Sequence, residues 1–528
     1  MRKLLKLIFN RIFIVGVLVL IQLIILILGI WKLSESFVYM YALFVILSLV
    51  VVVYIVSRKD NPSYKLAWTI PVLLVPVFGG LFYLLFGGNK IGRTLKKQID
   101  AEYYEAKELL KQDEAVIEEI KAIDKSVYNQ VKYINDYAAY PIYKNSTTEF
   151  LSPGEVFYEK LLEELKKAEH YIFMEYFIIH EGKMWDSILE VLVEKVKEGV
   201  DVRLLYDDMG CITTLPNKYH EKMEKLGIKC QVFNKFIPIL SIIVNNRDHR
   251  KITVIDGHTA FTGGINLAEG NFKVNIKRRD TTKCEYEYIN EVVRFGHWKD
   301  ASIMIKGEAV WNLTVMFLQV WNFIGFNKED YNKYRPKIYH LDEFGSDGYV
   351  QPYGDSPYDN ELVGENVYLN IINKAKDYIY INTPYLIIDN ELVTALTLAA
   401  KSGVDVRIVT PFIEDKWYAH IVTRAYYAQL IEAGVKIYEY TPGFIHSKTF
   451  VCDDEIGVVG TINMDYRSLY LHFECGVFLY KTKSVMQIKE DFLNILDVSQ
   501  NITLEDTKKV KWSNRFLRAI LRVFAPLM

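Results

Sequence analysis

The chain has 528 residues, 51 % of them hydrophobic, and a formal net charge of −2. That length supports two or three domains with cores of their own, and the near-neutral charge excludes a uniformly basic nucleic-acid binder. Five cysteines without a CxxC pair exclude a disulfide framework and a zinc cluster, and point to a reducing compartment. Residues 12–31 carry no charge and are long enough to cross a bilayer at about 1.5 Å per residue. Residues 37–56 form a second such run, and only Lys32–Ser36 separate the two, so a transmembrane helical hairpin is expected. A cleaved signal peptide fits poorly, because no small-residue site follows and the second run comes at once. The third apolar run, 67–86, holds Pro71, Pro76, Gly79 and Gly80, which break a straight helix. Arg58, Lys59 and Lys65 precede it, and Lys90, Arg93, Lys96 and Lys97 follow it. Both flanks are basic and belong on the cytoplasmic side, so a re-entrant or interfacial segment fits better than a third span. Residues 1–90 thus read as a multi-pass membrane region, and 91–140 as a charged helical connector with no chemistry of its own.

The rest of the chain is duplicated. Residues 168–179 align with 375–388, Glu198–Leu205 with Ser402–Val409, and Leu226–Cys230 with Ala433–Ile437. Apolar and aromatic residues alternate in the first pair as in buried strands, and helical stretches at 185–197 and 391–401 precede the second. Each half is expected to be an α/β domain with a mainly parallel sheet, over 141–335 and 336–505.

Within that duplication lies a sharper repeat. His249, Lys251, Asp256, Gly263 and Asn266 recur as His446, Lys448, Asp453, Gly460 and Asn463. In both copies they stand two, seven, fourteen and seventeen residues after the histidine. The segment after each histidine is β-prone, so His and Lys share one strand face. A nucleophile or base, a cation and an amide, each supplied twice, suit a phosphate diester. One histidine attacks phosphorus and the other protonates the leaving alkoxide. Lys251 and Lys448 neutralise the non-bridging oxygens. Asn266, Asn463, Gly264 and Thr461 are candidates for holding the phosphate, and Asp256 and Asp453 for orienting or charge-balancing the site. The two copies are expected to meet across the domain interface. No ligand cluster calls for a metal or other cofactor. His170, His258, His297 and His472 read as packing or surface residues, and Asp207-Asp208 as a strand-end turn. Glu269 and Glu474 lie three and eleven residues after the motif asparagines, where either could line the cleft, and neither is assigned a catalytic role.

Paired HxKxxxxD motifs followed by G-[GT]-x-N resemble the phospholipase D superfamily. Asn61–Trp68 with Pro76–Gly88, Arg294–Asp300 and Gly460–Ser468 narrow the resemblance to bacterial cardiolipin synthases, over nearly the whole chain. It implies two duplicated phospholipase D-like domains behind the membrane hairpin, with both His-Lys-Asp sets in the active site. It further implies condensation of two phosphatidylglycerols into cardiolipin with release of glycerol, at the cell membrane with the catalytic domains cytoplasmic. About eighteen residues near 270–287 are extra relative to the family pattern, a surface loop in its simplest reading.

Three other functions compete. A hydrolase releasing phosphatidic acid needs the same motifs. A membrane-anchored nuclease would want a basic groove with stacking aromatics, which the near-neutral charge disfavours. A scaffold would not need His and Lys intact in both halves. The expected partners are phosphatidylglycerol and anionic lipids, with no nucleic acid. In the tail, 506–528, Trp512, Phe516, Leu517, Ile520, Leu521 and Phe524 recur at helical spacing opposite Lys511, Arg515, Arg518 and Arg522. An interfacial helix is expected there.

Overall fold

The structure is a computed structural model. It describes residues 20–527 apart from 22, 26, 34–37, 88–92, 236–245, 269–295, 326–327, 341–342, 360 and 511. Most of the apolar run 12–31, the extra residues near 270–287 and Glu269 therefore lie outside the described residues.

Val38–Ser57 form a helix whose window Tyr39–Ser57 has mean hydropathy 2.7 and is 17 % buried, so its side chains face outward rather than into a protein core. It is the one helix among the described residues long and apolar enough to cross a membrane. The third apolar run is broken, as its composition predicts. Pro62–Leu74 and Pro76–Phe86 are separate helices that meet at Val75, which precedes a proline and leaves helical geometry at φ −130° and ψ 66°. Val51, Ile55, Val72 and Tyr83 lock the three helices together. Gly80 serves this packing rather than the break, since a Cβ there would press on the backbone of Ser48 at 2.9 Å. Asn61 ties the bundle to the second half of the chain by hydrogen bonds to Asp389 (3.1 Å) and Tyr470 (2.8 Å).

Connector helices Arg93–Leu109, Glu114–Ile123 and Lys125–Ala138 lead into two sheets of one design. In the first half the strands are β1 (Ser146–Leu151), β2 (Tyr171–Tyr176), β3 (Asp201–Asp207), β4 (Lys229–Phe233), β5 (Lys251–Ile255), β6 (Thr259–Gly263), β7 (His297–Lys299) and β8 (Ser302–Gly307). The second half supplies β9 (Tyr349–Asp355), β10 (Tyr378–Asn382), β11 (Leu386–Ile387), β12 (Asp405–Pro411), β13 (Lys436–Tyr440), β14 (Gly443–Ile445), β15 (Thr449–Cys452), β16 (Ile456–Gly460), β17 (Met464–Asp465), β18 (Glu474–Tyr480) and β19 (Ser499–Ile502). The orders are β1-β8-β6-β5-β2-β3-β4 and β9-β18-β16-β15-β10-β12-β13-β19, the same arrangement with one strand added.

The sheets are mixed, which corrects the expectation of mainly parallel ones. Only β2-β3-β4 and β10-β12-β13 run parallel, and every other neighbouring pair in the two sheets is antiparallel. The reason lies in the motifs themselves. Each HxK strand turns straight back on its partner through Asp256-Gly257 or Asp453-Asp454, all four at positive φ. So short a connection forces a hairpin.

Candidate active site

The hairpin explains the motif spacing. β5 leaves His249 and Lys251, turns at Asp256, and returns as β6, which sets Ile252 opposite Thr262. Gly263, Gly264 and Asn266 thus arrive back beside Lys251. The second copy does the same, with Thr449 opposite Val459 and the Gly460 amide donating to the Lys448 carbonyl (3.3 Å).

The two copies meet through the backbone. His249 N–H donates to Phe473 O (2.9 Å) and Phe473 N–H to Arg247 O (2.8 Å). On the other side β14 pairs with β7, and His446 N–H donates to Lys299 O (2.7 Å). Each histidine is thereby stitched to the strand start that delivers a carboxylate from the other half. His249 Nδ1 lies 2.9 Å from Glu474 Oε1, and His446 Nδ1 lies 2.6 Å from Asp300 Oδ2. Glu474 and Asp300 are structural equivalents: each stands two residues before the strand residue opposite the motif's first glycine, Gly476 against Gly460 and Ser302 against Gly263. An Nδ1 held by a carboxylate fixes the tautomer and leaves the Nε2 lone pair for chemistry.

His249, Lys251, Asp300, His446, Lys448 and Glu474 are all buried. Lys251 Nζ donates to His249 O (2.6 Å), and Lys448 Nζ reaches His446 O and His446 Nδ1 (3.0 Å). Phe177 and Trp298 pack their rings against His249 and His446 at 5.0 and 5.1 Å. Burial, reinforced by Lys251 and His472, holds His249 well below the usual imidazole range. Burial and Lys448 push His446 down to about 4 against the pull of Asp300. Burial also lowers Lys251 to about 8 and Lys448 to about 7, both against the pull of Asp300 and Glu474. Glu474, wholly buried, is pushed up by desolvation, whereas His446 and Lys448 hold Asp300 low despite its burial.

The motif aspartates stand apart from this centre. Asp256 accepts backbone N–H groups from Glu169, His170 and Tyr171, each at 2.8 Å. Asp453 accepts those of Lys376, Asp377 and Tyr378 at 2.8 to 3.0 Å. They lie beyond the far ends of β5 and β15, seven residues after the histidines and so up to about 23 Å away at about 3.3 Å per residue. The expectation that they orient or charge-balance the reacting groups is therefore corrected: they clamp the chain entering β2 and β10. Thr461 and Gly264 also act differently from expectation. The Thr461 hydroxyl donates to Glu474, and a Cβ on Gly264 would collide with Asp300 Oδ1, so both seat the carboxylates rather than reach for phosphate. Asn266 and Asn463 are buried at the strand ends. Asn266 Oδ1 accepts from Ile178 N–H (3.0 Å), and Asn463 Oδ1 has no partner among the described residues.

Sequence reasoning left Asp300 and Glu474 without roles. They stand 34 and 11 residues after their motif asparagines, and the unequal gap hides their equivalence. It also set His472 aside as packing, yet that ring lies 5.6 Å from His249 and its Nδ1 3.7 Å from Glu474 Oε1. Among the described residues, His249, His472 and Glu474 are close enough to share a metal ion, as are Glu365, Asp389 and Glu391. Asp207 does cap a strand-end turn, taking Met209 and Gly210 N–H at 2.9 Å.

Two mixed α/β units of one topology, each lending a His-Lys pair to a shared centre, define a duplicated phospholipase D-like protein. The family model described as "Cardiolipin synthase, PLD-like domain" matches residues 161–278 and 368–496, and "Phospholipase_D-nuclease N-terminal" matches 44–88. A cardiolipin synthase of Alkalihalophilus pseudofirmus is 34 % identical over 89 % of this chain and 90 % of its own length. An uncharacterized protein of Streptococcus mutans is 42 % identical over 90 % of this chain and 99 % of its length. The chain belongs to the cardiolipin synthase family. A crystal structure of phosphatidylserine synthase from Haemophilus influenzae shares the fold, with TM-score 0.51 at 14 % identity over 76 % of this chain and 98 % of that one.

Proposed function

We propose that the protein is a cardiolipin synthase that transfers a phosphatidyl group from one phosphatidylglycerol to a second. One histidine attacks the donor's phosphorus through Nε2 while the other, charged once the phosphate diester sits beside it, protonates the departing glycerol from Nε2. The second lipid's hydroxyl then displaces the phosphohistidine, losing its proton to that same second histidine. Lys251 and Lys448 offset the non-bridging charge, and the amides of Asn266 and Asn463 hold the phosphate. Glu474 and Asp300 keep His249 and His446 in the productive tautomer. The observation that carries this reading is the crossed pairing, His249 with Glu474 and His446 with Asp300, which builds two activated imidazoles into one buried centre.

Purified protein given phosphatidylglycerol alone is expected to yield cardiolipin and glycerol, resolved by mass; phosphatidic acid as the sole lipid product would mean a hydrolase. His249→Ala and His446→Ala are each expected to abolish turnover while the protein still folds and inserts. Near wild-type activity in either would sink the two-histidine mechanism, and a phosphoenzyme trapped in one alone would identify the nucleophile.

The chemistry proposed is metal-independent, because two lysines already neutralise the phosphate. Activity is expected to survive exhaustive chelation, and a loss restored by one specific divalent ion would refute this.

We read the protein as a multi-pass protein of the cell membrane, with a hairpin of 12–31 and 37–56, a re-entrant or interfacial segment over 67–86, and the catalytic halves cytoplasmic. Apolar side chains pointing outward from Val38–Ser57 support this reading, as does basic charge on both flanks of the broken segment.

A further inference from the structure

A cavity of about 850 Å³ joins the membrane region to the neighbourhood of the active site. Arg58, Lys59 and Asn61, which follow the apolar helix ending at Ser57, line it, and so does His472 beside His249. Its volume lies within the range of roughly 300–1,000 Å³ that small-molecule sites occupy. The His472 side chain is only 10 % exposed, and neither of its ring nitrogens has a hydrogen-bond partner among the described residues. A buried imidazole left without partners is costly unless something supplies them. Glu474, 3.7 Å from its Nδ1, is already engaged by Thr461 and His249.

The charges in the cavity are graded. Arg58 and Lys59 come from the end of the membrane helix, with Arg58 paired to Asp60. Asp355 and Asp359 also line the cavity, and both are held protonated more readily than usual by burial, Asp359 up to about 6. A second phosphate is unwelcome against two acids, whereas hydroxyl groups hydrogen-bond readily to carboxyl groups and to a neutral imidazole.

We propose that this cavity seats the glycerol headgroup of the acceptor lipid, with His472 hydrogen-bonding its hydroxyls and Arg58 and Lys59 meeting its phosphate at the membrane side. The inference rests on the transferase reading above. In the second half-reaction the P–N bond of the phosphohistidine breaks and a P–O bond to the acceptor's primary hydroxyl forms. The hydroxyl proton passes to the other motif histidine. His472 touches the neighbouring secondary hydroxyl, so it selects the acceptor without handling the transferred proton.

The test is a product ratio. Full-length protein in phosphatidylglycerol vesicles is assayed for glycerol released, cardiolipin formed and phosphatidic acid formed. Glycerol reports the first half-reaction, and the ratio of cardiolipin to phosphatidic acid reports which acceptor wins the second. His472→Ala is expected to lower that ratio about tenfold, the worth of one or two hydrogen bonds, while glycerol release falls by less. His472→Asn, which returns a donor and an acceptor, is expected to recover much of the ratio. An unchanged ratio in His472→Ala would overturn the proposal. So would a parallel fall of glycerol and cardiolipin in both variants at constant ratio, the mark of a merely structural residue. Wild-type protein that releases phosphatidic acid and no cardiolipin would instead overturn the transferase reading.

Discussion

Asp256 and Glu474 show how differently two buried carboxylates serve one site. Asp256 receives three backbone N–H groups and touches no reacting group, whereas Glu474 receives His249 Nδ1 and the Thr461 hydroxyl. Hydrogen bonds to a charged acceptor contribute about 1.5–3 kcal/mol each. Asp256→Ala is therefore expected to lower the melting temperature markedly, while the protein that remains folded keeps its turnover per molecule. Glu474→Gln and Asp300→Asn are expected to do the reverse, leaving melting nearly unchanged and reducing turnover by about 10²- to 10⁴-fold through the wrong imidazole tautomer. Melting curves and turnover on the same preparations separate the two classes; loss of turnover in folded Asp256→Ala would return that residue to the reacting centre. The sequence makes the histidines and lysines legible because their spacing repeats. The carboxylates that orient them are invisible to spacing, since each works on the histidine of the other half and follows a loop of different length.

The elements were legible where period and length agreed. The paired strands 171–176 and 378–382 and the helices before β3 and β12 fall where the repeats predict them. The sheet direction was not legible, because a β-prone run looks the same whichever way its neighbour runs, and only the turn at Asp256-Gly257 disclosed the hairpin. The tail forms its helix over Trp512–Phe524. Trp512 (81 %), Phe516 (64 %), Ile520 (40 %) and Val523 (39 %) are exposed along one stripe, whereas Leu517, Leu521 and Phe524 are partly covered and Leu521 packs on the core, so the protein covers only one edge of the apolar face. Arg522 instead turns inward, donating to Gln429 (3.1 Å) and lying 4.4 Å from the Tyr426 ring. Burying a Trp or Phe contributes about 1.5–3 kcal/mol, enough to hold the stripe in a bilayer surface. In nanodiscs containing phosphatidylglycerol, a nitroxide at position 516 is expected to be relaxed by oxygen and shielded from a water-soluble relaxation agent, with a nitroxide at 514 showing the opposite. Equal exposure of both to water would mean the tail is not interfacial.

At the scale of the whole molecule, the two halves form one electrostatic unit. Each half contributes a lysine, a carboxylate and a histidine, and no half holds a complete His-carboxylate pair of its own. Both histidines are neutral in the empty site, and Asp300, held low by His446 and Lys448, is a firm anion beside the two lysines. Burial, with a smaller contribution from Lys251, depresses Lys448 to about 7, so the empty site carries a cation that it holds weakly near neutrality. An incoming phosphate diester relieves that repulsion and draws the proton back. The sign follows directly. Below pH 7 Lys448 is protonated and ready for phosphate, and as pH rises through 7 to 8 first Lys448 and then Lys251 lose the charge that binds it. Since kcat/KM reports the free enzyme, it is expected to decline on that alkaline side, whereas kcat, measured with phosphate already bound, declines at higher pH. Arginine does not deprotonate in this range. Lys448→Arg is therefore expected to move the alkaline limb of kcat/KM to higher pH, even with a lower maximum caused by the larger side chain. An alkaline limb at the same pH in wild type, Lys448→Arg and Lys251→Arg alike would show that neither lysine is its source.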